Sequence, residues 1–123
     1  MSEPGLKILD LSYLIEAVDG DPAFISEILR DYLTEMAEYL VELPVQLQRG
    51  NLDYLIRAAH TIKGASSNVG ATRVRETASK FESRLSKGHL DGSESLIKLL
   101  QQEVARVREL VEREDISELM KTM

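Results

Sequence analysis

The sequence predicts an all-α fold, an antiparallel four-helix bundle with a short additional N-terminal helix, and three observations carry that prediction. Apolar residues recur at steps of three, four and seven in five successive segments, the period of a helix that buries one stripe. Nowhere in the sequence do apolar and polar residues alternate as they would along a half-buried strand. Between the periodic segments stand short groups of Gly, Asn, Asp and Pro, residues that turn or restart a chain. A length of 123 residues suits one domain, of a size that buries roughly two-thirds of the surface its unfolded form exposes.

Residues 1–8 read as a flexible leader. Asp10 is placed to cap the short first helix, its carboxylate accepting from N–H groups that lack partners at a helix start. Leu11, Leu14, Ile15 and Val18 form its stripe, and Gly20 ends it. Asp21-Pro22 then supplies a cap followed by a residue whose missing N–H has no partner in a first turn anyway. Behind it Ile25, Ile28, Leu29, Tyr32, Met36, Leu40, Leu43 and Leu47 make the longest stripe, which ends near Arg49-Gly50. Pro44 removes the bond to the Leu40 carbonyl and predicts a kink, because the stripe keeps its register as far as Leu47.

Gly50 turns the chain and Asn51 caps the next helix, whose stripe is Leu55, Ala59, Ile62, Ser66 and Val69. After Gly70 a further helix carries Ala71, Val74, Ala78, Phe81 and Leu85 and stops at Lys87-Gly88. So short a connection makes these two helices an antiparallel hairpin. His89 to Ser93 is a polar turn, with His89 a loop residue in no cluster. The last long helix turns Leu96, Leu100, Val104, Val107 and Val111 inward, with Ile97, Leu99 and Leu110 widening the stripe. Residues 9–113 thus form the bundle. Residues 114–123 are a tail, which extends the last helix, links onward, packs as an arm or meets a second copy.

Composition excludes several classes of function. The net charge of −6 opposes general nucleic-acid binding, which depends on cationic surface to displace counterions. Without cysteine there is no disulfide, no thiol nucleophile and no Cys-ligated metal, and the distance of His89 from His60 gives no metal-like spacing. No apolar run is long enough to cross a membrane, and Met1 to Gly5 is too short and polar for a signal peptide, so the expected compartment is the cytoplasm. Arg73, Arg75, Lys80, Arg84 and Lys87 make the fourth helix the most basic segment of this acidic chain. A locally positive surface near His60 would suit a partner whose reactive site is a cluster of carboxylates.

The chemistry concentrates in His60 to Ala71, reading His-Thr-Ile-Lys-Gly-Ala-Ser-Ser-Asn-Val-Gly-Ala. At about 100° per residue the stripe of this helix fills roughly a quarter-turn, and His60 points away from it into solvent. Gly64 lies one turn on from His60, with Lys63 and Ser67 on its flank. A glycine inside a helix costs about 1 kcal/mol relative to alanine. Two things could compensate: room for a molecule approaching His60, or tight packing against a neighbouring helix. Ile56, one turn before His60, lies outside the buried sector and is a candidate for a docking patch.

His60, Lys63, Gly64, Ala65, Ser66, Gly70 and Ala71 resemble the His-x-x-Lys-Gly-small-small-x-x-x-Gly-Ala signature of histidine-containing phosphotransfer domains, four-helix-bundle carriers of two-component phosphorelays. The resemblance extends from about Leu9 to Leu110 and is weaker outside the motif. It implies that His60 accepts a phosphoryl group from the phospho-aspartate of one receiver domain and yields it to the aspartate of another. The partners implied are a response-regulator receiver domain, a hybrid sensor histidine kinase, or both, with Mg²⁺ expected on the receiver and no intrinsic cofactor. A neutral imidazole, with an ordinary pKa of about 6.5, is a competent nucleophile near neutral pH.

In this reading Lys63 neutralises phosphoryl oxygens as a mobile point charge. Glu82, at a spacing where the family commonly has Gln or Glu, is the candidate to orient the imidazole; the alternative is an exposed Glu paired with a cation such as Lys80. Gly64, Ile56 and Ser67 are the candidates for the receiver docking patch. The chain would then be a phosphocarrier supplying half of a transfer site and not a complete enzyme. A second reading is the phospho-accepting domain of a chemotaxis-type histidine kinase, labelled from ATP by a kinase domain; the chain itself has no Gly-rich phosphate loop. A purely structural helical adaptor is the third.

Overall fold

The computed structural model describes residues 6–121. Six helices follow one another: α1 (Ser12–Ala17), α2 (Pro22–Gln48), α3 (Leu52–Val69), α4 (Thr72–Ser86), α5 (Ser93–Arg113) and α6 (Ile116–Lys121). No strand occurs among the described residues. Each of α2 to α5 packs on its neighbour in sequence, and α2 also packs on α5, which closes a four-helix ring. The core runs along its axis: Ile25, Leu29, Met36 and Leu43 from α2, Leu55, Ala59 and Ile62 from α3, Val74, Ala78, Phe81 and Leu85 from α4, Leu100, Val104 and Val107 from α5.

Local chemistry places the boundaries. Asp21 is the N-cap of α2, its carboxylate accepting from Ala23 N at 3.1 Å and Phe24 N at 3.4 Å, with Pro22 in the first turn. Asn51 caps α3 through Tyr54 N at 3.2 Å. The first helix corrects the expectation for Asp10. Its N-cap is Leu11, and Asp10 acts one residue earlier, accepting from Ser12 N at 3.0 Å and Ser12 Oγ at 2.6 Å. Those two bonds hold the Asp10 carboxyl below the usual carboxylate range. Pro44 leaves α2 unbroken as one helix of 27 residues, because Leu43 and Leu47 on either side stay packed on the core.

Gly70 joins α3 to α4 under a double constraint. Its φ of 80° is left-handed, and a Cβ built there would lie 1.7 Å from the Asp10 carbonyl oxygen. The chain before α1 lies across this turn: Asp10 N donates to Gly70 O at 2.8 Å, Arg73 Nε to Leu6 O at 3.0 Å, and Thr72 Oγ1 to Lys7 O. Of the leader expected over residues 1–8, residues 1–5 lie outside the described residues, whereas Leu6 and Lys7 meet α4 through these bonds. On α5 the buried stripe is centred on Ile97, Leu100, Val104 and Val107, and Leu96 and Val111 stand at its half-buried margins. In the tail, α6 packs against α2 through the buried Leu119, so this segment is an arm on the bundle.

Phe81 is fully buried and among the largest core side chains. Truncation of an aromatic ring in such a place costs the transfer of its carbons and leaves a cavity. Phe81→Ala should therefore lose about 3–5 kcal/mol, read as a lower urea midpoint at unchanged m value.

Candidate functional site

The α3–α4 hairpin assembles the site. The residues that α3 buries are Leu55, Ala58, Ala59, Ile62, Ser66 and Val69, and burying that face turns His60 outward. The His60 side chain is 69% exposed. On α4, burial of Val74, Ala78, Phe81 and Leu85 sets Glu82 on the edge that faces α3. Its carboxylate bridges two α3 side chains: Oε2 lies 2.9 Å from His60 Nδ1, and Oε1 lies 2.6 Å from Lys63 Nζ. With 19% of its side chain exposed, Glu82 is much the most enclosed of the three, and Lys63 stands between at 33%.

The electrostatics fix the tautomer. Hydrogen bonding from Lys63, followed by that from His60, holds the Glu82 carboxyl below the usual range, against partial desolvation acting the other way. An ionised carboxylate only accepts, so the neutral imidazole carries its proton on Nδ1 and donates it to Glu82. The unprotonated nitrogen is then Nε2, on a ring largely open to solvent. Such an arrangement supplies an oriented nucleophile with a cation beside it.

Gly64, one turn on from His60, is exposed, and a Cβ added there would meet nothing within 4 Å. Of the two explanations for a mid-helix glycine, packing against a neighbour is excluded; open space beside the imidazole remains. Ser67 is exposed and Ile56 half-buried against the core. Ser66, within the motif, faces the other way and is fully buried, sharing a 2.8 Å hydrogen bond with Tyr32 of α2. That bond satisfies both hydroxyls, and burial pushes the Tyr32 phenol well above its ordinary range.

The expected positive surface near His60 is not a single patch. Arg73 is turned to the Leu6 carbonyl, Arg84 to Asp91 at 3.2 Å and its carbonyl at 2.8 Å, and Lys80 shares with Arg84 and Leu96 the groove between α4 and α5. Only Arg75 shares the Glu82 edge, because α4 separates its cations by 100° per residue. Sequence reasoning passed over Tyr13 and Phe24, large residues exposed near the start of the fold. His89 is exposed in the α4–α5 loop, and among the described residues no His, Asp and Glu cluster could hold a metal.

The model of the Hpt domain family matches residues 27–110. The chain belongs to the Hpt domain family. A phosphorelay intermediate protein, rdeA of Dictyostelium discoideum, is 31% identical over 101 residues, 82% of this chain and 40% of that protein. Histidine-containing phosphotransfer protein 4 of Arabidopsis thaliana is 26% identical over 96 residues, 76% of each. Among solved structures, the crystal structure of histidine-containing phosphotransfer protein B from Pseudomonas aeruginosa PAO1 superposes with a TM-score of 0.76 at 30% identity, covering 86% of this chain and 92% of that one. This Hpt chain therefore spans less than half the length of the Dictyostelium relative.

Two measurements follow from the site. Gly64→Ala should raise stability by about 1 kcal/mol, since the added methyl meets no neighbour, and a urea titration reads the gain. Because the folded Glu82 pKa is depressed, its contribution to stability is present above the unfolded carboxylate pKa of about 4.3 and is lost as pH falls through the lower folded value. Glu82→Gln should therefore be less stable than wild type at neutral pH, with the gap closing on acidification; parallel acid unfolding curves for the two proteins would contradict it.

Proposed function

We propose that the chain is a phosphocarrier whose His60 Nε2 takes a phosphoryl group from the phospho-aspartate of one receiver domain and gives it to the aspartate of another. The observation that carries this reading is the solvent-open imidazole whose Nδ1–H is held by a carboxylate that also holds Lys63. Membership of the Hpt family, and relatives named as a phosphorelay intermediate and as phosphotransfer proteins, support a phosphotransfer role in a phosphorelay.

The step balances without any further reactant. The Nε2 lone pair forms the bond to phosphorus as the bond to the aspartyl oxygen breaks, and the aspartate leaves as a carboxylate. The ring retains its Nδ1 proton, bonded to Glu82, so charge gained on the imidazole is met by a fixed anion. Return to a second aspartate runs the same path backwards. Phosphoryl transfer asks mainly for positioning and charge stabilisation, which suits a bundle that contributes one nucleophile and one cation. Lys63 Nζ, now on Glu82, is within a side-chain swing of oxygens on Nε2. The receiver brings the acidic pocket and its Mg²⁺, and this chain supplies half of the site and no cofactor of its own.

Gly64 and the exposed Ser67 leave the approach to His60 open, and Ile56 adds a partly apolar margin. No helix among the described residues is long and apolar enough to cross a membrane. A second reading, direct labelling by a kinase domain using ATP, draws on the presence of a carboxylate at Glu82. Label from a phosphorylated receiver with Mg²⁺ distinguishes the two, since a chain served only by a kinase domain takes none.

His60→Gln should keep its helix content, because the side chain faces solvent, and should lose all label uptake from a phosphorylated receiver. Lys63→Ala should also stay folded and should transfer more slowly, by about tenfold or more if it meets a phosphoryl charge directly. Uptake by His60→Gln would mean that another residue is the nucleophile, and wild-type rates in Lys63→Ala would mean that its charge plays no part in the transfer.

A further inference from the structure

We propose that Arg75 is a specificity-determining residue of this transfer site: it binds a carboxylate on the docked receiver and sets affinity, without touching the phosphoryl group. The proposal rests on the phosphotransfer reading above and adds to it a charged contact outside the His60, Lys63 and Glu82 group.

Helix geometry places Arg75. It precedes Glu82 by seven residues, roughly 20° short of two full turns, so both leave α4 on the same edge. The α3–α4 hairpin is antiparallel and pairs His60 with Glu82. Seven residues on in α3 therefore stands level with seven residues back in α4, which sets the exposed Ser67 opposite Arg75. The two levels lie about 10 Å apart along the axis, within the radius of a standard protein interface of about 800 Å² a side.

The state of the guanidinium is the second observation. Arg75 is half-buried and makes no side-chain hydrogen bond or ion pair among the described residues. Its neighbours Arg73 and Arg84 have fold partners, in Leu6 and Asp91. Lys63 and Arg57, the cations that flank His60 on α3, are committed to Glu82 and Asp53. Arg75 is thus a cation of the transfer face that the fold itself leaves uncommitted. A partner acting through aspartates presents negative charge, and the planar fork of arginine matches a carboxylate with two parallel hydrogen bonds. Partial burial limits the stem to few rotamers, so little freedom is lost on docking.

The test separates affinity from chemistry. The protein is first charged with phosphoramidate, a small phosphodonor that needs no docking. It is then mixed with increasing concentrations of a receiver domain that accepts label from the wild type. Arg75→Ala should charge normally and reach the same maximal transfer rate, while the half-saturating receiver concentration rises about tenfold. Arg75→Lys should recover part of that loss, Arg75→Glu should exceed it, and the alanine variant should depend less steeply on salt.

A half-saturating concentration within about twofold of wild type for both Arg75→Ala and Arg75→Glu overturns the proposal. So does a fall in maximal rate at saturating receiver, which would place Arg75 in the chemistry. A wild type that takes label from phosphoramidate and passes it to no receiver overturns the phosphotransfer reading itself, and this contact with it.

Discussion

The carboxylate of Glu82 is the constraint on which the site depends. One oxygen holds an imidazole proton and the other holds an ammonium, and both partners come from the facing helix. An exposed ion pair contributes little to stability, so the value of this one lies in orientation. It selects the Nδ1–H tautomer, which leaves Nε2 as the unprotonated nitrogen, and keeps the lysine within a turn of it. Its enclosure makes that possible: a carboxylate with as much freedom as the imidazole would be screened and mobile.

The bundle supplies the rigidity that this grip requires. His60 and Glu82 belong to different helices, and their separation is fixed by what lies beneath: Ala59, Ile62, Ala78 and Phe81, all buried. Small residues in that set let α3 and α4 approach closely enough for short polar side chains to meet across the edge. Gly70 fixes the register of the hairpin, because only a residue without a Cβ tolerates both the left-handed backbone and the Asp10 carbonyl against it. The Tyr32–Ser66 bond ties α2 to α3 on the opposite face.

Helix number, order and stripes were legible in the sequence because burial follows the 3.6-residue period and because Asp21, Asn51 and Gly70 signal ends that local chemistry dictates. The outward direction of His60 follows from the same period. Contacts that depend on the third dimension were less legible. Glu82 had two readings along the sequence, an orienter of the imidazole or a mate for Lys80, and only the hairpin register brings it to His60. The five α4 cations look like one patch in one dimension, yet rotation about the helix divides them between two edges. The start of α1 was missed by one residue because Asp10 serves two purposes, a local turn to Ser12 and a backbone bond to Gly70. The sequence left the tail open among an extension, a linker, a packing arm and a contact with a second copy, because a helix of six residues carries too short a pattern to show which neighbour it meets.

Two glycines of the motif show how one residue type answers opposite demands. Gly70 is needed because matter is already there: the length of chain before α1 passes so close that any side chain would collide. Gly64 is tolerated although nothing is there, at a helix position where alanine would be better by propensity alone. A fold optimised only for its own stability has no use for that open space. The space lies beside His60, on the face with Lys63, and under the proposed function it is room for the receiver that completes the site. The same logic applies to the exposure of His60: a ring buried for stability could be held by more bonds, but it could not be shared. On the phosphotransfer reading proposed above, the stability forgone along this edge of α3 goes with a surface that a receiver completes.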